Sequence, residues 1–252
     1  MSSPFDLGGR TALVTGANTG IGQAIAVGLA RAGADVVVVG RTAPKDTAAA
    51  VVAAGRRFHA VTADLANSGS CGAVVLDALG FAGRIDILVN NAGIIRRAEA
   101  LEFTEADWDD VMNVNLKSTF FLSQAVGREM LRAGRGGKII NIASMLSFQG
   151  GVRVASYTAS KSGVAGLTRL LANEWAAKGI NVNAIAPGYV TTNNTAALQA
   201  DETRNRDILA RIPAGRWAKP DDIAGAAVFL ASAAADYVLG AILPVDGGWL
   251  AR

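Results

Sequence analysis

The stretch Thr11-Ala12-Leu13-Val14-Thr15-Gly16-Ala17-Asn18-Thr19-Gly20-Ile21-Gly22 decides the fold class of this chain. An apolar run with strand character leads into a glycine-rich turn, and a segment of helical period follows from Gly20. Glycines here allow the backbone to turn sharply and to approach a pyrophosphate at the N-terminus of the helix. The spacing is Gly-x-x-x-Gly-x-Gly rather than the commoner Gly-x-Gly-x-x-Gly, so a tight strand-to-helix connection without a ligand is the alternative.

Short β-rich runs and longer helical segments alternate along the whole chain. Strands are predicted at residues 11–15, 35–39, 58–63, 85–90, 138–143, 181–186 and 241–245, and helices at 20–32, 46–54, 70–82, 104–133, 156–178 and 220–231. This alternation predicts a doubly wound α/β fold with about seven parallel strands and helices on both faces. No break in composition interrupts it, so residues 1–252 are expected to form a single domain. The polar, weakly periodic segment 189–217 is interpreted as a substrate lid within that domain.

Composition restricts the class of protein. Lys and Arg number 24 against 21 Asp and Glu, and this net charge of +3 gives no reason to expect a nucleic-acid partner. One cysteine, Cys71, and one histidine, His59, exclude a disulfide framework and a Cys/His metal site. The uncharged run 223–235 is only thirteen residues long, and residues 1–10 lack the apolar core of a signal peptide. We therefore expect no membrane association and a cytoplasmic location.

Three predicted strands end in residues suited to a dinucleotide. The second ends in Gly40-Arg41-Thr42, where an NAD enzyme usually places an acid on the ribose 2′-hydroxyl; Arg41 is suited instead to the 2′-phosphate of NADP. The third ends in Asp64-Leu65, whose carboxylate can accept hydrogen bonds from an adenine amine, and the fourth ends in Asn90-Asn91-Ala92-Gly93. Ligands bind at this carboxyl edge of open α/β sheets. For the third and fourth ends an ordinary turn is the alternative.

Tyr157 and Lys161 lie four residues apart in a predicted helix, and Ser144 precedes the tyrosine by thirteen positions. Residues i and i+4 share a helical face, so the Lys161 ammonium can stand close to the phenol. A phenol has a pKa of about 10, and acting as a base near neutral pH requires about 4 kcal/mol of preference for the phenolate, which a cation supplies in part. A packed tyrosine beside a lysine that reaches solvent is the alternative for the pair taken alone.

The motifs Thr15-Gly16-x-x-x-Gly20-x-Gly22, Asn90-Asn91-Ala92-Gly93, Asn115, Ser144, Tyr157-x-x-x-Lys161 and Pro187-Gly188 resemble those of the short-chain dehydrogenase/reductases in order and spacing. The resemblance implies a Rossmann-like fold, an NAD(P)(H) cofactor and a catalytic tetrad of Asn115, Ser144, Tyr157 and Lys161. In these roles Tyr157 exchanges the proton of a secondary alcohol while a hydride moves, and Ser144 holds the substrate oxygen. Lys161 lowers the tyrosine pKa and binds the nicotinamide ribose. Asn115 orders water, the alternative being an Asn in mid-helix bonded to solvent.

The cofactor contacts expected from these motifs cover every loop at the carboxyl edge. They are Gly16, Asn18, Thr19, Gly20, Ile21, Gly22, Arg41, Asp64, Leu65, Asn91, Ala92, Gly93, Tyr157, Lys161, Pro187, Gly188, Val190 and Thr192. Residues from Pro187 to Thr192 are expected to close over the carboxamide.

Five further segments resemble one subgroup of the family, the 2-dehydro-3-deoxy-D-gluconate 5-dehydrogenases of uronic-acid breakdown, also called 2-deoxy-D-gluconate 3-dehydrogenases. The segments are residues 94–97, 144–151, 191–195, 212–217 and 247–252. This resemblance implies a sugar-acid substrate, reversible oxidation to a 3-deoxy-2,5-diketo acid and a homotetramer. It also favours NAD, although Arg41 departs from that pattern and permits NADP.

A carboxylate substrate favours a fork of donors, which arginines supply. The candidate substrate residues are Arg96, Arg97, Ser144, Gln149, Arg153, Tyr157 and Asn193. For each arginine, a solvated surface or a subunit contact is the alternative. Three other functions remain: a 3-oxoacyl thioester reductase, another sugar dehydrogenase of the same family, and a non-catalytic nucleotide-binding protein.

Overall fold

A computed structural model describes residues 3–252 and contains one parallel sheet of seven strands in the order β3-β2-β1-β4-β5-β6-β7. The strands are β1 Thr11–Thr15, β2 Asp35–Gly40, β3 Phe58–Thr62, β4 Ile87–Asn90, β5 Gly137–Ile142, β6 Ile180–Pro187 and β7 Ile242–Val245. The helices are α1 Gly20–Arg31, α2 Lys45–Ala53, α3 Cys71–Ala82, α4 Glu105–Met112, α5 Ser118–Arg132, α6 Ala155–Trp175, α7 Ala196–Ala200, α8 Glu202–Arg211 and α9 Asp221–Ala231. The predicted doubly wound, Rossmann-like fold is confirmed.

β1 shows why helices cover both faces of this sheet. Val14 packs in one apolar layer with Ile25 of α1 and Leu230 of α9. Its neighbour Leu13 lies in the opposite layer with Val75 of α3 and Val126 of α5. Successive strand residues face opposite sides of a sheet, so a run that is apolar at every position needs a helix layer on each side.

The strand order reverses between β1 and β4, which are hydrogen-bonded neighbours in the sheet. From β1 the sheet continues through β2 to β3 at one edge, and from β4 it continues through β5 and β6 to β7 at the other edge. The two crossovers leave a crevice above the carboxyl ends of β1 and β4, and open α/β sheets bind ligands in such a crevice. The glycine turn follows β1 directly, so the topology places it at the edge of the crevice.

Two segments differ from the helices and loops that were predicted. The predicted helix 104–133 is interrupted by a π-helical turn, Asn113–Lys117, between α4 and α5. The segment 189–217 contains α7 and α8, although only Ile208 of these two helices is fully buried. A helix that buries so little of itself shows little apolar periodicity. Among residues 3–252, every helix is too short or too polar to cross a bilayer.

Candidate active site

The glycine turn after β1 forms a cradle that only small residues allow. Gly16 and Gly20 have φ angles of +64° and +60°, a region that costs other residues energy. A Cβ on Gly22 would come within 2.5 Å of the Gly16 carbonyl oxygen. No side chain of the described residues caps the N-terminus of α1. Its first N–H groups therefore remain available for a phosphate, and the cradle fits the pyrophosphate of a dinucleotide.

Asn91 and Thr15 hold this turn against the end of β4. The Asn91 Nδ2 atom donates to the carbonyl oxygens of Thr15 and Gly16, at 2.9 and 3.0 Å. The Thr15 hydroxyl accepts from the backbone N–H groups of Asn91 and Ala92, at 3.0 and 2.9 Å. Asn91 was predicted as a cofactor contact, and the structure uses its amide to hold the glycine turn in place.

Most of the predicted cofactor residues lie around a cleft of about 590 Å³ at the carboxyl edge of the sheet. The predicted residues that line it are Gly16, Asn18, Thr19, Gly20, Ile21, Gly22, Arg41, Asp64, Leu65, Asn91, Ala92, Gly93, Tyr157, Lys161 and Thr192, joined by the predicted substrate residues Arg96 and Asn193. Pro187, Gly188 and Val190 lie behind the lining. Pro187 pairs with Val245 in the sheet, and Val190 is buried.

Tyr157, Ser144 and Lys161 meet at one end of this cleft. The Ser144 hydroxyl is close enough to the Tyr157 phenol to lower its pKa, and the Ser144 Oγ accepts from the backbone N–H of Leu146 at 3.1 Å. The Lys161 Nζ lies 5.6 Å from the Tyr157 ring centroid and donates to the carbonyl oxygen of Ile142 at 2.7 Å. Tyr157 and Lys161 therefore share one face of α6, as their spacing predicts, and this face is directed at the cleft.

The pKa of Tyr157 moves in the direction opposite to the one expected. Burial raises the pKa of Tyr157, and the hydrogen bond with Ser144 and the positive charge of Arg97 oppose this only partly. Lys161 was expected to lower the pKa of the tyrosine, but it is not among the groups that do so here. The Lys161 ammonium is 4% exposed, and burial lowers its own pKa to about 8. Tyr157 therefore holds its proton at neutral pH in the cofactor-free protein, as a proton donor requires.

Lys161 should make the stability of the cofactor-free protein depend on pH. Its pKa is about 8 in the folded chain and about 10.4 in an unfolded one. Between these values the unfolded chain binds more protons, so the free energy of unfolding should rise with pH across this window. Urea unfolding from about pH 7 to about pH 10 should show this rise in the wild type and a flatter profile in Lys161→Met. The exposed residue Lys178, changed to Met, is the control and should keep the rise; parallel profiles for all three proteins would contradict the prediction.

Asn115 is held by the π turn that interrupts the α4–α5 helix. It is 1% exposed; its Oδ1 accepts from the backbone N–H of Ile94 and its Nδ2 donates to the Ile94 carbonyl oxygen, both at 2.9 Å. A Cβ built on Gly93 would lie 3.3 Å from the Asn115 Oδ1 and 3.7 Å from the Lys161 Nζ. The side chain therefore binds the loop after β4 beside Lys161, and the alternative of a solvent-bonded Asn is wrong. Single π turns often occur at functional sites.

The three candidate arginines differ in their partners. Arg96 forms ion pairs with Asp107 and Asp110 of α4, at 3.2 and 3.0 Å. Arg153, at φ +64°, pairs with Glu99 at 3.1 Å. The positive charges of Arg96 and Arg153, which were predicted to bind the substrate, are thus already paired with acidic side chains.

Arg97 alone of these three forms no ion pair among the described residues. It donates to the carbonyl oxygen of Asn194 at 3.1 Å, and its charge acts on Tyr157. The residues that line the cleft include neither Arg97 and Arg153 nor Ser144 and Gln149. The Gln149 side chain accepts from the indole N–H of Trp249 at 3.2 Å.

An aromatic cluster next to this site was not predicted. The ring centroid of Tyr189 lies 5.0 Å from that of Trp249 and 5.2 Å from that of Trp217, both in edge-to-face geometry. The guanidinium of Arg211 lies 4.1 Å from the Trp249 ring centroid. The sequence did contain a signal for α8, because Arg204, Ile208 and Arg211 have the spacing of one helical face.

Comparison with known proteins identifies the family. The short-chain dehydrogenase model described as enoyl-(acyl carrier protein) reductase matches residues 16–250. The chain is 62% identical over 248 residues to the 2-dehydro-3-deoxy-D-gluconate 5-dehydrogenase of Dickeya dadantii, covering 98% of each. It is 61% identical over 250 residues to the Escherichia coli K12 protein of the same name, covering 99% of each. A crystal structure from Agrobacterium tumefaciens with bound NADP, described as a candidate 2-deoxy-D-gluconate 3-dehydrogenase, matches with 65% identity and a TM-score of 0.95 over 100% of both chains. The chain belongs to the short-chain dehydrogenase/reductase family.

Proposed function

We propose that this chain transfers a hydride between NAD(P) and 2-dehydro-3-deoxy-D-gluconate, reversibly giving a 3-deoxy-2,5-diketo acid. The observation that carries the proposal is the Tyr157 phenol, which lines the dinucleotide cleft beside the buried Lys161, with Ser144 near enough to influence its pKa. The high identity to dehydrogenases of this sugar acid supports the choice of substrate.

Each side chain has a task that follows from its surroundings. Tyr157 holds a proton at Oη, which it donates to the developing alkoxide in reduction and recovers from the alcohol in oxidation. The Ser144 hydroxyl lies near that phenol, where it would hold the substrate oxygen toward Tyr157. A bound nicotinamide supplies the hydride acceptor or donor and, when oxidised, a positive charge beside the phenol. Lys161 presents an ammonium to the ribose, and Asn115 holds the loop that carries Gly93 next to it.

The glycine turn and the strand ends are suited to the remaining parts of the cofactor. The open N-terminus of α1 would hold the pyrophosphate. Asp64 uses its Oδ1 to accept from the backbone N–H of Ala66 at 2.9 Å, and its other oxygen would meet the adenine amine. Thr192 lies against the glycine turn, 3.4 Å from the position of a Cβ on Gly20, where it would meet the carboxamide.

Arg41 is proposed to bind the 2′-phosphate of NADP, although the subgroup resemblance favours NAD. Asn18 donates to the Thr42 hydroxyl at 2.7 Å and holds the loop that carries Arg41 at the cleft. A Cβ at position 40 would come closer than van der Waals contact to the Asn18 Oδ1, so Asn18 would have to leave the Thr42 loop before the acid typical of NAD enzymes could stand there. Among the described residues, Arg41 has no acidic partner.

Arg41→Ala should raise the dissociation constant of NADP about tenfold, the loss of one charge-assisted contact, and leave that of NAD within about twofold. Nucleotide fluorescence titrations of both cofactors measure the difference. Arg31→Ala, which changes an exposed arginine at the far end of α1, should change neither constant. Equal weakening of NAD and NADP by Arg41→Ala would show that the side chain does not address the 2′-phosphate.

The proposed function is tested by assaying the purified protein with 2-dehydro-3-deoxy-D-gluconate and with a 3-oxoacyl thioester, each with both nicotinamides. The proposal expects turnover of the sugar acid. Turnover of the thioester alone would identify a 3-oxoacyl thioester reductase. Tight nucleotide binding without turnover of either substrate would identify a nucleotide-binding protein without catalysis.

The lid, the homotetramer and the cytoplasmic location are proposed with this function. Arg97 joins the loop after β4 to the segment 189–217 through the Asn194 carbonyl, which supports a lid that rests on the site. Large apolar side chains remain partly exposed on the outer helices, among them Trp108 of α4, Phe121 of α5 and Leu170 of α6. Association of four copies would cover such side chains. A sedimentation experiment that shows only monomer would remove the tetramer.

A further inference from the structure

One face of α8 is directed at the aromatic cluster formed by Tyr189, Trp217 and Trp249. Ile208 is buried in an apolar group that contains Trp249 and touches Tyr189. Residues at i−4 and i+3 from Ile208 lie on the same helical face, and these are Arg204 and Arg211. Both arginines therefore flank the point where α8 packs on the cluster.

Arg211 is held on this face by neutral partners. Its guanidinium lies 4.1 Å from the ring centroid of Trp249, and it also approaches the Gln149 side-chain oxygen at 3.4 Å. Stacking on an aromatic ring orients the guanidinium without neutralising its charge. Arg97 belongs to the loop after β4. Its only hydrogen bond among the described residues goes to the Asn194 carbonyl oxygen.

Arg97, Arg204 and Arg211 are thus the arginines around Tyr189, and none of the three has an acid as an ion-pair partner in the described part of the chain. Within residues 3–252, neither Arg97 nor Arg204 nor Arg211 forms an ion pair, whereas the nearby Arg96 and Arg153 both do. Burial raises the pKa of Tyr189, and the charges of Arg204, Arg211 and Arg97 act against this rise. Neighbouring positive charges repel one another, and an anion bound between them would relieve that repulsion.

The position of Arg97 connects this charge cluster to the reacting centre. Its charge acts on Tyr157 as well as on Tyr189. A substrate with a reacting carbon at Tyr157 and an anionic end at Tyr189 would therefore pass along Arg97. Arginine is the side chain best suited to a carboxylate, since its planar fork can bind both oxygens at once.

We propose that Arg97, Arg204 and Arg211 around Tyr189 bind the carboxylate of the substrate, so that selectivity for an acid comes from α8 of the lid. The inference rests on the proposed function. Arg97 was a sequence candidate for this role, whereas Arg204 and Arg211 come from the fold. Arg96 and Arg153 already pair with acids, so a substrate carboxylate would have to compete with those partners.

The test compares Arg204→Gln with Arg206→Gln on 2-dehydro-3-deoxy-D-gluconate and on its uncharged methyl ester. Arg206 lies on the same helix, is 73% exposed and pairs with Asp207, so its variant is a matched control. Arg204→Gln should raise KM for the acid about tenfold and leave kcat within about twofold, since the contact is made in both ground and transition states. KM for the ester should remain within about twofold.

A second variant, Arg97→Gln, approaches the carboxylate from another element and should show the same selective rise in KM for the acid. Dissociation constants of NADP, measured on each variant, should match the wild type and exclude a general disturbance of the cleft. Unchanged KM for the acid in both variants, or an equal rise for acid and ester, would overturn the inference. Failure of the wild type to oxidise the acid would instead overturn the proposed function.

Discussion

Replacing Tyr157 with phenylalanine should lower kcat for the sugar acid about a thousandfold, within the range that general acid catalysis contributes. The ring and its packing remain, while the hydroxyl that is proposed to exchange a proton with the substrate oxygen is removed. The dissociation constant of NADP should stay within about twofold, because the cleft is built mainly by the glycine turn and the strand ends.

Single-turnover measurements of hydride transfer, with NADP titrations beside them, test this expectation. Tyr237→Phe makes the same chemical change at a residue that is 98% exposed, and it should leave both quantities unchanged. The pH dependence gives a second readout. Because burial raises the pKa of Tyr157, oxidation should speed up as pH rises and the phenol loses its proton, while reduction should slow down. A kcat within about tenfold of wild type in Tyr157→Phe would remove this residue from the reaction.

Gly22→Ala should cost the protein both stability and cofactor affinity. The added Cβ would lie within 2.5 Å of the Gly16 carbonyl oxygen and closer still to the Asn91 amide, so the turn and its clamp must move apart. Overpacking of this kind costs about 2 to 3 kcal/mol, which corresponds to about a hundredfold rise in the dissociation constant of NADP if the cost falls on the cradle.

The matched control is Gly80→Ala in α3, where a Cβ meets nothing within 4 Å. An alanine in a helix interior is favoured over glycine by about 0.5 to 1 kcal/mol, so this variant should become more stable. Thermal unfolding without cofactor and nucleotide titration together separate the two effects. Gly22→Ala with wild-type affinity for NADP would mean that the turn does not cradle the pyrophosphate.

Local patterns were sufficient to predict the sheet. All seven strands occur within two residues of their expected bounds, because a run such as Asp35–Gly40 is apolar in nearly every position and has no stable place outside a buried strand. The residues of the glycine turn and the Tyr157–Lys161 pair were also found in the sequence. Their chemistry depends on short spacings along one turn or one helical face.

The π turn that contains Asn115 could not be predicted from residue types. Its two hydrogen bonds join the side chain to Ile94, twenty-one positions away, and they form only when β4 and the α4–α5 helix are already packed together. The direction in which the pKa of Tyr157 shifts could not be predicted for a similar reason. Helical spacing places Lys161 near the phenol, but burial, which depends on the whole fold, is the largest cause of the shift, and Lys161 is not among the groups that oppose it.

The sequence by itself determined the fold, the position of the dinucleotide cleft and the candidates for the reacting side chains, because periodicity, glycine spacing and the i, i+4 relation are properties of neighbouring residues. Only the tertiary structure decided which charges are available to a substrate. Arg96 forms ion pairs with two acids of α4, whereas Arg204 and Arg211 of α8 form none within the described residues. A charge is free or compensated according to what lies within a few ångströms of it, and in this protein those neighbours come from distant parts of the chain.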